Sequence, residues 1–223
     1  MFVETMTNEE AWKEADADLN NAFGKFRHME RDVFLVARQT RNFPYVWIKE
    51  YVSPRRNKWL FMVHIYRRNI RNGGSGCMPV CLQKYPKGWA AHCYFLEGER
   101  QLTITLLPHF FDRYAQYNRT NLTGTELVKY VLKRMVRFET EKTTEYSGRD
   151  SRDGNVFHLI FDDGVGMGEY HDDGHAMVKT FITYDMTTGG QKEAFEEKRD
   201  RLGDPLEKNR RRIADGATSF QFS

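Results

Sequence analysis

Between Pro44 and Leu107 the sequence is a succession of short stretches rich in aromatic and β-branched residues, separated by turn-forming segments. Such stretches are typical of β-strands, and connections this short join antiparallel neighbours. The sequence therefore predicts an antiparallel meander of five strands here. The predicted strands are Tyr45 to Val52, Lys58 to Arg68, Cys77 to Gln83, Trp89 to Leu96 and Gln101 to Leu107.

The residues before this meander follow a helical period instead. Thr7 and Glu10 have the spacing of a capping box, which marks the start of a helix. Apolar residues then recur every three or four positions as far as Met29. We predict one long amphipathic helix that ends between residues 31 and 42, because Pro44 favours extended backbone just before it.

After Pro108 the apolar period becomes helical again. We predict two helices, the second of which begins near a capping-box pair at Thr123 and Glu126. Residues 139–153 are polar and are interpreted as a loop. Three further strands and a charged helix that ends near Leu202 complete the prediction. These strands are Asn155 to Phe161, Gly166 to His171 and His175 to Met186.

Together these patterns predict an α+β protein with two units and a tail. Residues 1–107 form a long N-terminal helix with an antiparallel meander, and residues 108–203 form two helices followed by a three-stranded antiparallel unit. Residues 204–223 are interpreted as a basic mobile tail. Of the 223 residues, 40% are hydrophobic and 29% are charged, which excludes collagen-like and wholly disordered chains.

Two absences in the sequence bear on where the chain works. No apolar run approaches the roughly 18 residues that a membrane span needs, so we expect no membrane contact. The three cysteines, Cys77, Cys81 and Cys93, are too few for a disulfide framework. The expected location is therefore a reducing cytoplasm.

Positive charge is concentrated between Arg27 and Arg71, where the sequence contains eleven basic and three acidic residues. This region is a candidate surface for a polyanion. Its alternative is an ordinary solvated surface whose cations pair with acids elsewhere. The candidate nucleic-acid-binding residues are Arg55, Arg56, Lys58, Arg67 and Arg68.

His109 and Arg113 follow the point where a strand is predicted to end and a helix to begin. They are four residues apart, so they lie on one side of the helix, close to Gln116 and Tyr117. An imidazole can move the proton of a ribose 2′-hydroxyl, and a guanidinium can stabilise charge on phosphoryl oxygens. The pair therefore indicates phosphodiester chemistry, but it also fits simple packing at a helix start and an ion pair.

The last predicted strand carries further polar candidates. Alternation along the strand places Lys179, Phe181 and Thr183 on an open side, and Val178 and Ile182 on the core side. If the open side meets His109 and Arg113, a compact site for RNA results.

The chain from Leu107 to Met186 runs as a His-x3-Arg helix, a second helix and antiparallel strands. This order resembles the barnase-like and RelE-like toxin ribonucleases, which often open with a helix bearing His and Arg and end with a strand bearing Thr, Ser or Tyr. The resemblance implies a metal-independent endoribonuclease that cleaves RNA through its 2′-hydroxyl, with no cofactor, and with RNA and a protein inhibitor as partners. His109 would be the general acid or base, Arg113 and Lys179 would contact the phosphate, and Thr183 would orient the reacting groups.

Two other hypotheses remain open at this point. The chain could be a non-catalytic accessory protein that uses the basic region 27–71 to hold a nucleic acid or a protein. His171 and His175 flank a predicted hairpin turn and could share a metal with Asp172 or Asp173. Because no third ligand is obvious, we predict no metal site.

Overall fold

The computed structural model describes residues 1–3, 5–70, 74–97, 100–143, 156–171, 174–187 and 189–203. Within these residues, nine strands form one sheet in the order β1-β2-β3-β4-β5-β9-β8-β7-β6. The strands are β1 (Tyr45–Val52), β2 (Lys58–Ile65), β3 (Ser75–Tyr85), β4 (Gly88–Glu97), β5 (Arg100–Leu106), β6 (Phe138–Thr143), β7 (Val156–Phe161), β8 (Gly164–Tyr170) and β9 (His175–Ile182). The predicted α+β class and the five-stranded meander are confirmed.

Five α-helices and one short 3₁₀ helix accompany the sheet in the described residues. They are α1 (Asn8–Arg27), α2 (Glu30–Gln39), α3 (Pro108–Tyr117), α4 (Gly124–Arg134), α5 (Gly190–Asp200) and the 3₁₀ helix Tyr184–Met186. The prediction of a tail over residues 204–223 lies outside the described residues.

The N-terminal helical stretch is two helices, so the prediction of one long helix is wrong. Thr7 forms the predicted capping box with Glu10, but α1 ends at Arg27, and ψ is 0° at the next residue, His28. After this elbow α2 turns its apolar side, with Val33 and Ala37, back toward the sheet. Apolar spacing continues through the elbow, and spacing alone does not distinguish a straight helix from a bent pair.

The second unit has four strands instead of the predicted three, because the first strand lies where a loop was expected. β6 is polar, with three charged and two threonine side chains among its six residues, and it pairs with β7 along its whole length. β5 and β9 are parallel neighbours, so the two predicted units belong to one continuous sheet. The other neighbouring strands are antiparallel.

The sheet is strongly curved. The rings of Phe95 on β4 and Phe138 on β6 lie 5.0 Å apart between centroids, although four strands separate β4 from β6 in the sheet. In a flat sheet these strands would lie about 24 Å apart. The curvature makes one face concave, and α3 and α4 pack into it with the largest apolar core.

We call this concave face the α3 face and the opposite one the α1 face. On the α1 face, α1 and α2 cover β2, β3 and β4, while α5 covers β7 and β8. The core of the α3 face is rich in aromatic side chains, whereas the layer beneath α1 includes buried polar groups. None of the helices described combines the length and apolar character that crossing a bilayer requires.

A bulge in β9 opposite β8, with Lys179 as the extra residue, interrupts the predicted alternation of β9. The register shifts between Met167 and Gly168. Val178 and Phe181 consequently both lie in the core of the α3 face, although they are three residues apart. The prediction that Phe181 shares the open side with Lys179 is wrong, because alternation holds only in a strand without irregularity.

Candidate active site on the third helix

The transition from strand to helix at Pro108 positions the candidate site. The N–H of Leu107 still donates to the carbonyl of Val178 on β9, at 3.0 Å. Pro108 then occupies the first turn of α3, where its missing N–H costs nothing and its fixed φ suits the helix. The helix therefore starts directly above the end of the β5–β9 pair.

Aromatic side chains hold the inner side of α3 against the sheet. Phe110 and Tyr114 are fully buried and contact the ring of Phe181 at 5.9 and 5.0 Å between centroids. Phe110 also lies close to the Cα of Gly166, where an added Cβ would come within 3.3 Å of its ring. The added Cβ would come even closer, 2.7 Å, to Val178 Cγ1 of β9, so Gly166 leaves room for both β9 and α3.

A hydrogen-bonded clamp fixes α3 to α4 and to the β7–β8 turn. The hydroxyl of Tyr114 donates to Asp163, and Arg134 on α4 donates to the same carboxylate through Nε and Nη2. Burial is the largest influence on the Asp163 carboxyl and acts to raise its pKa, but the hydrogen bonds from Arg134 and Tyr114 prevail and lower it. The ionised carboxylate of Asp163 therefore links α3, α4 and the β7–β8 turn.

The outer side of α3 carries the predicted pair. Arg113 Nε donates to His109 Nε2 at 3.3 Å, and its Nη1 donates to Gln116 Oε1 at 3.0 Å and to the Tyr117 hydroxyl at 3.3 Å. The guanidinium carbon also lies 5.9 Å from the centroid of the Tyr117 ring. We call these four residues the α3 cluster. They bring together an imidazole, a permanent cation, an amide and a phenol on an accessible surface.

The hydrogen bond to His109 has a chemical consequence. A guanidinium only donates, so His109 Nε2 must offer its lone pair in this arrangement. The imidazole is then neutral and carries its proton on Nδ1. This is the form of histidine that accepts a proton as a general base.

Lys179 is not part of the α3 cluster. Its ammonium lies 2.6 Å from Glu169 Oε2, and Glu169 pairs across the strands with Met177. The sulfur of Met177 accepts a hydrogen bond from Asn8 of α1, so this ion pair belongs to the α1 face. The predicted convergence of Lys179 with His109 and Arg113 is not found, because they lie on opposite faces of the sheet.

Thr183 lies between β9 and the 3₁₀ helix, where its carbonyl accepts from the N–H of Met186 at 3.0 Å. Phe181, two residues earlier, contacts the Tyr117 ring at 6.4 Å between centroids. Thr183 therefore lies two residues beyond Phe181, the β9 residue that contacts the last turn of α3. Within the part of the chain described, no hydrogen bond joins its side chain to His109 or Arg113.

The five predicted nucleic-acid-binding residues do not form one patch. Arg55 is paired with Glu14, whose pKa its hydrogen bonds lower to about 2, and Lys58 is paired with Glu50 at 3.3 Å. Arg56 is exposed in the β1–β2 turn. Arg67 and Arg68 follow the other end of β2, about 23 Å away along a strand of this length. Arg55 and Lys58 are therefore held in ion pairs, and the other three cations lie near opposite ends of β2.

His171 and His175, the candidate metal-binding pair, pack around Trp12. The ring of His175 stacks on the Trp12 ring at 4.4 Å, and His171 contacts it edge-on at 5.0 Å. Over the described residues, no group of three or more His, Cys, Asp or Glu side chains could hold a metal ion. The acids named with them, Asp172 and Asp173, lie outside these residues.

A directional chain of buried hydrogen bonds runs beneath α1. Trp12 Nε1 donates to Thr105 Oγ1 at 2.9 Å, Thr105 contacts His92 Nδ1 at 2.9 Å, and His92 Nε2 contacts Gln83 Oε1 at 3.0 Å. Since the Gln83 oxygen can only accept, His92 donates from Nε2 and accepts from the Thr105 hydroxyl. Burial, with a smaller contribution from His175, lowers the pKa of His92 to about 3. This histidine is therefore a neutral structural group.

One surface feature escaped the sequence analysis. The outward residues of α2, namely Arg31, Phe34, Leu35 and Arg38, have the spacing i, i+3, i+4 and i+7. The spacing was visible in the sequence, but the prediction of one long helix hid it, because that helix was assigned a single apolar side. The elbow at His28 gives α2 its own orientation.

Comparison with known proteins adds no relative. No family model, no curated protein and no solved structure matches this chain. The function of this chain is therefore inferred from the geometry of the α3 cluster.

Proposed function

We propose that the chain is a metal-independent endoribonuclease that uses the α3 cluster to cleave RNA through the ribose 2′-hydroxyl. The observation that carries the proposal is the 3.3 Å hydrogen bond from Arg113 Nε to His109 Nε2 on an accessible helix surface. It keeps a proton acceptor and a permanent cation next to each other. The order of two helices and antiparallel strands from Pro108 to Ile182 supports the proposal through the resemblance described above.

In the proposed reaction, His109 Nε2 takes the proton of the 2′-hydroxyl, and the 2′-oxygen attacks the adjacent phosphorus. Arg113 leaves His109 and donates to the phosphoryl oxygens as negative charge grows on them. The bond to the 5′-oxygen breaks, and that oxygen takes a proton from Tyr117, whose hydroxyl the same guanidinium holds. The products are a 2′,3′-cyclic phosphate and a 5′-hydroxyl.

The structure changes the roles expected from the sequence. Lys179 has no role in this proposal, because Glu169 holds its ammonium on the α1 face. Thr183 keeps its proposed orienting role, since it follows the strand position that contacts Tyr117. Tyr117 becomes a proposed member of the reacting group.

The test is cleavage of mixed-sequence RNA by the purified chain in the presence of a chelator. His109→Ala should lower the rate by on the order of a hundredfold or more, which is typical of losing one acid or base. His28→Ala removes another exposed histidine, at the end of α1, and should leave the rate unchanged. Lys179→Ala should also retain activity.

Two results would contradict the proposal. The first is an intact RNA substrate after prolonged incubation with the wild-type chain. The second is equal activity of the His109→Ala and His28→Ala variants, which would assign the cleavage to a contaminant or to another site. RNA binding without cleavage, weakening steeply with salt, would favour the accessory-protein hypothesis.

A further inference from the structure

The outward side of α2 is an unpaired amphipathic stripe. Arg31, Phe34, Leu35 and Arg38 are all exposed and fall within about 100° of the helix circumference. Phe34 and Leu35 are 44% and 46% exposed, which is high for large apolar side chains. We call these four residues the α2 stripe.

The α2 stripe is not needed to hold α2 on the sheet. Val33 and Ala37, on the opposite side of the helix, are fully buried in the core of the α1 face. The helix therefore has one apolar side for its own fold and a second one that faces water. A spacing of i, i+3, i+4 and i+7 is the pattern by which helices dock against a partner.

Charge defines what could cover this stripe. Arg31 and Arg38 flank the apolar pair, and neither forms an ion pair with any described residue. The nearest acids in sequence, Glu30 and Asp32, lie outside the stripe, and Asp32 is 3.9 Å from Lys49. Further exposed cations lie close to both ends of the helix in the sequence. They are Lys25, Arg27 and Arg41.

We propose that the α2 stripe docks an acidic amphipathic helix of a partner protein. Two apolar side chains of that helix would cover Phe34 and Leu35, and carboxylates on either side would pair with Arg31 and Arg38. Aromatic and arginine side chains around an apolar centre are typical of the energetically important part of protein interfaces. This inference is independent of the proposed ribonuclease activity.

A second copy of this chain fits the stripe less well. In an antiparallel pairing of two α2 helices centred on Phe34 and Leu35, Arg31 would face Arg38 of the second copy at both ends. Like charges in that position oppose association. An acidic partner turns the same two positions into attractive ones.

Nucleic acid also fits less well. Leu35 offers no ring on which a base could stack, so a single-stranded nucleic acid could stack on only one of the two apolar side chains. A phosphate backbone would use the two arginines but would leave the apolar centre uncovered. The stripe as a whole therefore favours a protein helix.

The test uses two stapled helical peptides and the full chain. One peptide carries Glu, Leu, Leu and Glu at i, i+3, i+4 and i+7, and its twin carries Lys in place of both Glu. The acidic peptide should bind, measured by fluorescence anisotropy, and the lysine peptide should bind at least tenfold more weakly. The double variant Arg31→Glu/Arg38→Glu should reverse this preference.

Two further variants separate contact from folding. Phe34→Ser should weaken the acidic peptide at least tenfold while the circular dichroism spectrum stays unchanged, because Phe34 is exposed. Lys133→Glu removes an exposed cation from α4 and should leave binding unchanged. Equal binding of both peptides, no reversal in the double variant, or displacement of the acidic peptide by RNA or by anionic vesicles would overturn the proposal.

Discussion

The outer sides of α3 and α2 both present arginine beside an aromatic ring, but the two arginines are held differently. On α3, Arg113 donates to His109, Gln116 and Tyr117 of its own helix, so the cation is positioned before any ligand arrives. On α2, Arg38 lies over the ring of Phe34, and within the described residues it forms no ion pair. A positioned cation beside a proton acceptor suits chemistry, whereas a free cation beside exposed apolar surface suits recognition.

The largest expected difference between the two helices concerns their phenylalanines. Phe110 is fully buried under α3, while Phe34 is 44% exposed on α2. Phe110→Ala should lower the free energy of unfolding by about 3–5 kcal/mol, because it leaves a cavity in a close-packed core. Phe34→Ala should change it by no more than about 1 kcal/mol, since it removes only the exposed contact with Arg38. Urea denaturation followed by circular dichroism checks both, and similar losses would refute the assignment of Phe34 to a free surface.

The next effect concerns His92, the histidine buried beneath α1, and the dependence of stability on pH. Burial lowers the pKa of His92 to about 3, whereas an unfolded histidine titrates near 6.5. The unfolded chain therefore binds more protons below pH 6.5, so stability present above that pH is lost as the pH falls toward the folded pKa. His92 alone should account for a loss on the order of 3 kcal/mol by pH 4.

Burial acts on a second histidine in the same direction, since it lowers the pKa of His64 to about 4. Denaturation curves measured between pH 7 and pH 4 give the stability slope. The His92→Gln variant should be less stable overall but should show a shallower slope. A slope identical to the wild type would mean that His92 is not the titrating group.

A smaller effect separates the two arginine environments. Arg113→Lys keeps the charge but loses the planar fork that reaches His109, Gln116 and Tyr117. We expect about a tenfold loss of RNA cleavage, as for one interaction of about 1.4 kcal/mol. Arg31→Lys on α2 should leave cleavage unchanged, and an equal loss in both variants would indicate a general charge effect.

The smallest effect tests whether Arg38 is free for a partner. Arg38→Gln removes the contact with Phe34, which at an exposed site is worth about 0.5–1 kcal/mol. The melting temperature should fall by no more than about 4 °C. A much larger fall, measured by scanning calorimetry, would show that Arg38 holds α2 in the fold.

Much of the architecture could be predicted from local patterns. The meander strands and the start of α3 at Pro108 follow from apolar alternation, turn residues and the change of period. β6 could not be predicted in the same way, because Glu139 and Glu141 make it polar, and its strand conformation depends on pairing with β7. The parallel β5–β9 pair joins residues about seventy positions apart, which no local signal specifies.

The candidate site shows the same difference between local contacts and contacts that depend on the tertiary structure. His109 and Arg113 are four residues apart on one helix, so their contact follows from helical geometry and could be predicted. The position of Lys179 depends on the bulge in β9 opposite Met167 and Gly168, and on the ion pair with Glu169 of β8. Both are tertiary features. Residues within one helix could therefore be assigned from the sequence, and residues from different elements could not.

The chemical form of the RNA ends tests the central claim most directly. Wild-type protein, incubated with RNA in a chelator, should leave 2′,3′-cyclic phosphate ends detectable by mass spectrometry, and an RNA with 2′-deoxyribose at the cleaved position should stay intact there. Products with 3′-hydroxyl ends, or cleavage of the deoxyribose position, would contradict an attack by the 2′-oxygen at the α3 cluster.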